Sequence, residues 1–115
     1  MGTTEAHRGK DECYLLLALR KIGGTWKLLL LRELWERPRR FRDLRRALPW
    51  ISSTSLARSL KGLEGDGLIS RTVIGTRPPE VSYALVSNDP DLREAINHLT
   101  QWGKKHSPRT IARKP

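Results

Sequence analysis

FRDLRRALPWISSTSLARSLKGLEGDGLISRTVIGTRPPEVSYAL, residues 41–85, decides the fold. Phe41, Leu44 and Leu48 recur at i, i+3 and i+7, the spacing of a short helix with one apolar stripe. Pro49 ends that helix, and Ser52 or Ser53 can cap the next by accepting its free N–H groups. Leu56, Leu60 and Leu63 supply a second apolar stripe. Gly67 then stands where a left-handed helix stop belongs, with Leu68 placed to pack on Leu63. Leu68 to Ile74 and Val81 to Val86 are rich in β-branched and aromatic residues and read as two strands. The loop between them carries Arg77 beside the stiffening pair Pro78-Pro79. Helix, turn, helix and hairpin in that order predict a winged helix-turn-helix, a layout that docks on DNA.

The flanks extend this plan. Leu16, Leu19 and Ile22 recur from Cys13 at helical spacing, so a first helix is expected to run to Gly23-Gly24. Thr25 can cap a second, from Trp26 to Glu36, whose ring of leucines implies burial, and Pro38 stops it. Arg39 to Phe41 is then a brief extended stretch. Asp89-Pro90 is an N-cap followed by proline at the first helical position, opening a last helix with the stripe Leu92, Ala95, Ile96, Leu99 and Trp102. The predicted class is mainly α with a small β-hairpin (α+β). Its parts are a flexible N-terminus (1–10), a winged domain (11–106) and a basic flexible tail (107–115). The terminal helices, about 11–23 and 89–106, carry the dimer contacts. A small monomer has little surface to cover the last stripe, so Leu92, Ile96, Leu99 and Trp102 are expected to meet Leu15, Leu16 and Leu19 across a homodimer.

Charge points the same way. In 115 residues, 22 Lys and Arg face 12 Asp and Glu, a formal charge of +10 that favours a polyanion. Arg37, Arg39, Arg40, Arg42, Arg45 and Arg46 crowd the start of the supporting helix, with Asp43 the one acid inside the run. Lys27, Arg39, Arg40, Arg42 and Arg46 are the expected phosphate contacts. Ser52, Ser53, Thr54, Ser55, Arg58 and Lys61 begin the proposed reading helix; capping explains one or two of them, and base or backbone contact the rest. Arg77 at the wing tip suits a narrow minor groove. The implied partner is double-stranded DNA with a pseudo-palindromic operator. The alternative is a sequence-independent architectural protein, binding DNA or RNA through the same charge.

Other chemistries find little support. Leu28 to Leu31 with its flanks is interrupted by Lys27, Arg32 and Glu33, well short of the roughly 20 apolar residues of a membrane span. Met1 to Lys10 holds no apolar signal region, so a cytoplasmic protein is expected. His7, His98 and His106 lack metal-ligand spacing. Gly23-Gly24-Thr25-Trp26-Lys27 lacks the spacing of a phosphate loop, and no catalytic elbow occurs. No enzyme, cofactor or metal is expected. Cys13, the single cysteine, excludes an internal disulfide but not one between chains. It is a redox candidate if a helix N-terminus near Lys10 eases thiolate formation, which Asp11 and Glu12 oppose.

The motifs together resemble the HxlR family of bacterial and archaeal transcriptional regulators. They are Ile22-Gly23-Gly24-Thr25-Trp26-Lys27, the run Pro38 to Pro49, Ile51-Ser52, Leu60, Leu63-Glu64, Asp66-Gly67-Leu68-Ile69, Arg71, Pro78-Pro79, Val81 and Tyr83. The match covers about Cys13 to Leu85 and continues weakly through Trp102-Gly103. The resemblance implies a homodimeric winged-helix DNA-binding protein, related in fold to the MarR regulators, with the first and last helices building the dimer. It also implies, for Cys13 alone, a response to oxidants or electrophiles, in some members through a disulfide between subunits. Trp50, where a small residue is common, and Ser87-Asn88-Asp89-Pro90, in place of a Thr-x-x-Gly turn, depart from the family pattern.

Overall fold

The computed structural model describes the backbone of residues 2–108 and the side chains of residues 9–108. The elements are α1 (Gly2–Ile22), α2 (Lys27–Leu34), β1 (Arg39–Arg40), α3 (Phe41–Ala47), α4 (Ser53–Gly65), β2 (Ile69–Ile74), β3 (Glu80–Leu85) and α5 (Pro90–His106). Beyond Pro108, the expected basic tail lies outside the described residues.

One apolar face from each of α2, α3 and α4 builds the centre. Leu30, Leu44, Leu56, Leu60 and Leu63 are wholly buried there. Tyr83 of β3, Ile69 of β2 and Ile96 of α5 close the same cluster. The three helices need this contact, because α2 and α3, at 8 and 7 residues, are too short to hold a helix in water alone.

Local chemistry sets the boundaries. The Ser52 Oγ accepts the Ser55 N–H at 3.1 Å and starts α4. At its other end the Leu68 N–H reaches the Leu63 carbonyl and the Gly67 N–H the Glu64 carbonyl, both at 3.0 Å, with Gly67 at φ +75°. This is the paired hydrogen bonding of a Schellman stop, which requires the left-handed residue that glycine supplies without strain. The Asp89 carboxylate accepts from the Asp91 and Leu92 N–H groups and starts α5 with Pro90 in its first turn.

Four expectations need revision. First, α1 begins at Gly2 rather than near Cys13, so the helix takes in most of the segment set apart as an N-terminus. Second, α2 spans Lys27–Leu34 with Trp26 as its cap residue; Thr25 falls one position outside and caps nothing. Third, the stretch expected to be extended, Arg39 to Phe41, is extended at Arg39–Arg40 and joins the hairpin as a third strand: β1 lies antiparallel to β3, with Arg39 opposite Tyr83 and Arg40 opposite Ser82, giving the order β1-β3-β2. Fourth, the α5 stripe divides. Ile96 is buried in the chain's own core and Leu92 packs against it, whereas Leu99 and Trp102 stand 54% and 62% exposed. Ile96 is therefore not available as an interface residue.

Helix α1 is a different case from the rest. Every residue from Gly9 to Lys21 is exposed, among them Tyr14, Leu15, Leu16, Leu17 and Leu19, and Ile22 is where α1 reaches the core. No helix among the described residues is long and apolar enough to cross a membrane.

Candidate nucleic-acid interface

Helix α4 turns two stripes in opposite directions. Leu56, Leu60 and Leu63 face inward, while Thr54, Arg58 and Lys61, spaced i, i+4 and i+7, form the opposite stripe and are exposed. Ser53 is exposed in the first turn beside them. The other two serines are partly committed: the Ser52 hydroxyl caps the helix, and Ser55 is half-buried with its N–H in that cap. The surface that α4 offers is thus a short row of hydroxyl and cationic donors, the side-chain types that meet base edges and phosphates in a major groove.

The arginine run splits into two groups. Arg37, Arg45 and Arg46 are exposed and take part in none of the ion pairs among the described residues. Arg39, Arg40 and Arg42 are paired. Arg39 Nη2 lies 3.6 Å from Glu33 of α2, and its Nε is buried without a hydrogen-bond partner. Arg40 Nη1 donates to Glu80 Oε2 at 2.7 Å, and Arg42 Nε pairs with Glu80 Oε1 at 3.1 Å. Asp43 Oδ2 accepts the Arg40 backbone N–H at 3.2 Å, which caps α3; a guanidinium has no acceptor with which to return that bond. This N–H, ahead of the Arg40 charge, holds the Asp43 carboxyl below its ordinary pKa. The Glu80 hydrogen bond, followed by the Glu80 charge, pushes the Arg40 guanidinium above its own.

Sequence reasoning missed Glu33 and Glu80 as partners, because it weighed only the acid inside the run. Glu80 is 40 residues from Arg40, and no local spacing connects them. Lys27, expected to contact phosphate, is half-buried, its Nζ lying 3.5 Å from the Lys21 carbonyl at the end of α1. Its chain also crosses α4 at Gly62, where a Cβ would sit 3.0 Å from that nitrogen. Arg77 is exposed in the loop between β2 and β3, after Gly75 turns the chain at φ +74°. Val73 and Ile74 are also exposed, so the distal half of the wing stands clear of the core.

Cys13 is exposed and free. Since α1 begins at Gly2, the thiol sits about three turns into the helix, away from the unpaired N–H groups of a helix start. The helix start expected near Lys10 is therefore not beside Cys13. Among the described residues no group of three or more His, Cys, Asp and Glu comes together as a metal site.

Comparison with known proteins agrees with this geometry. The family described as HxlR-like helix-turn-helix matches residues 21–111. An HTH-type transcriptional regulator of Methanothermobacter thermautotrophicus is 37% identical over 100 residues, covering 85% of this chain and 76% of that protein. The Escherichia coli regulator YtfH is 32% identical over 102 residues, covering 89% and 81%. Among solved structures, the redox regulator HypR in its oxidised form superposes with a TM-score of 0.74 at 31% identity, over 84% of this chain and 99% of that one. The reduced form of YodB from B. subtilis gives 0.67 at 27%, over 81% and 91%. With α3 and α4 as its helix-turn-helix and β2 and β3 as its wing, the chain belongs to the HxlR family of winged helix-turn-helix transcriptional regulators.

Proposed function

We propose that the chain regulates transcription as a homodimer that binds a pseudo-palindromic operator. Each copy lays α4 in a major groove, the two grooves roughly 34 Å apart along the duplex. Ser53, Thr54, Arg58 and Lys61 meet base edges and nearby phosphates, and Arg77 enters the flanking minor groove. Arg37, Arg45 and Arg46 hold backbone phosphates, joined by Arg39, Arg40 and Arg42 where a phosphate displaces their acidic partners. The observation that carries this reading is the exposed stripe Thr54, Arg58 and Lys61, set opposite the buried leucines of the same helix. Such a target places the protein in the cytoplasm.

The dimer is supported by the apolar side chains left in water. Leu15, Leu16 and Leu19 of α1, with Leu99 and Trp102 of α5, are half or more exposed, and a second copy is a self-complementary cover for them. Cys13 shares α1 with that surface. In the proposed switch, two Cys13 thiols from two subunits lose two protons and two electrons to an oxidant such as diamide and form one disulfide. The likeness to HypR and YodB supports this, as does the exposure of the thiol.

Selection of bound duplexes from a random pool tests the central claim. A two-fold-symmetric consensus with half-sites one helical turn apart is expected; steep salt dependence without sequence preference would replace it with the architectural reading. The double variant Arg58→Ala, Arg77→Ala should bind the selected operator at least about tenfold more weakly at unchanged melting temperature. For the switch, diamide should change gel mobility and DNA binding of the unaltered protein and leave Cys13→Ser unaffected. Identical behaviour of the two proteins removes Cys13 from the mechanism.

A further inference from the structure

Glu80, the first residue of β3, divides its carboxylate between two arginines. Oε2 accepts from Arg40 Nη1 at 2.7 Å and Oε1 pairs with Arg42 Nε at 3.1 Å. Asp43 lies 3.5 Å from Arg40 Nε. Glu80, Arg40 and Arg42 meet in a groove of about 340 Å³ walled by Phe41, Pro79 and Tyr83, where the wing joins the helix-turn-helix. The groove is open to water: the Arg40 and Arg42 side chains are 39% and 55% exposed and that of Glu80 is 28%. A carboxylate thus occupies a two-pronged anion seat on the face that carries the arginine run.

We infer that Glu80 stands in for a DNA backbone phosphate at Arg40 and Arg42, and that a bound duplex displaces it, so that Glu80 lowers the affinity its arginines would otherwise give. The inference rests on the DNA-binding reading and adds a residue that moderates it. Carboxylate and phosphate present similar pairs of oxygens to guanidinium donors, so the two compete for one seat. The competition is sharpest at Arg40, whose terminal Nη1, a nitrogen a phosphate would use, is taken by Glu80 at the shortest distance in the cluster; Arg42 is held through Nε. Charge agrees with this, because Arg40, Arg42, Asp43 and Glu80 sum to zero and half the seat's cationic charge is cancelled from β3.

The test compares the unaltered protein with Glu80→Gln and Glu80→Asp, titrated onto a short random-sequence duplex at several salt concentrations. Glu80→Gln is expected to bind about tenfold more tightly, with a salt slope steeper by about one. Adding Arg40→Gln to that variant should abolish the gain. Glu80→Asp keeps the charge and should bind like the unaltered protein. Equal or weaker binding by Glu80→Gln overturns the inference and leaves the DNA-binding reading standing. Tighter binding by Glu80→Asp as well overturns it, since loosened packing rather than charge would then be the cause. Should the unaltered protein bind no duplex at low salt, the DNA-binding reading fails and takes this inference with it.

Discussion

The helix-turn-helix and the two terminal helices meet the same hydrophobic demand in opposite ways. In the first, leucines from α2, α3 and α4 bury one another completely within the chain. In the second, Leu15 of α1 is 60% exposed and Trp102 of α5 is 62% exposed, although both elements are longer than α2, α3 or α4 and α5 sets Ile96 into the core. Length without a covered apolar face does not stabilise a helix in water. The contrast separates a helix-turn-helix whose apolar faces are covered within one copy from terminal helices that leave apolar side chains in water, the surface proposed above to meet a second copy. Substitutions in the two regions should consequently show up in different measurements.

The largest effect belongs to the reader. Leu60→Ala should lower unfolding free energy by roughly 2–5 kcal/mol, because a fully buried leucine leaves a cavity as well as lost contact. Denaturant titration measures it, and a cost under about 1 kcal/mol would break the comparison by showing α4 to be loosely anchored. The pair Leu99→Glu and Trp102→Glu comes next. Sedimentation should show a monomer while circular dichroism keeps its helical signal; loss of that signal would mean that the arms support the fold as well as association. Gly67→Ala is smaller, about 1 kcal/mol, and comes from φ +75° alone, since no atom lies within 4 Å of the position its Cβ would take. Melting curves decide it.

The smallest effect is set by pH. The Asp43 carboxyl has a folded pKa below its unfolded value, so its contribution is full above the ordinary carboxylate range and is lost as pH falls from that range through the lower folded pKa. Asp43→Asn should therefore destabilise the protein at neutral pH and cease to matter in acid. A difference that persists unchanged in acid would assign the loss to shape rather than charge.

The reader was also the more legible region in sequence. Ser52, Gly67 and Asp89-Pro90 each act through backbone groups within a few residues, so their roles could be written from spacing alone. What spacing left out depended on distant partners. The extended stretch expected from Arg39 to Phe41 is β1, but its pairing with β3 is set by Ser82 and Tyr83, far along the chain. The arginine run looked uniformly free because Glu33 and Glu80 approach from other elements. Ile96 and Leu99 belong to one periodic stripe, and only the packed fold separates the inward residue from the outward one. Gly2, Gly9 and a polar composition hid the first turns of α1. The reading surface was legible as residue types; which of its arginines are already engaged was not.

The short strand β1 has a mechanical consequence. Its pairing with β3, reinforced where Arg40 and Arg42 grip Glu80, stitches the base of the wing to the residues that lead directly into α3. In the free chain the wing is therefore tied at its base to the helix-turn-helix rather than hanging as a loose hairpin. On the proposed DNA-binding reading, displacement of Glu80 by a phosphate leaves the backbone pairing of β1 and β3 as the remaining tie, so wing and α4 act as a caliper and part of any adjustment to groove spacing falls to bending of the DNA.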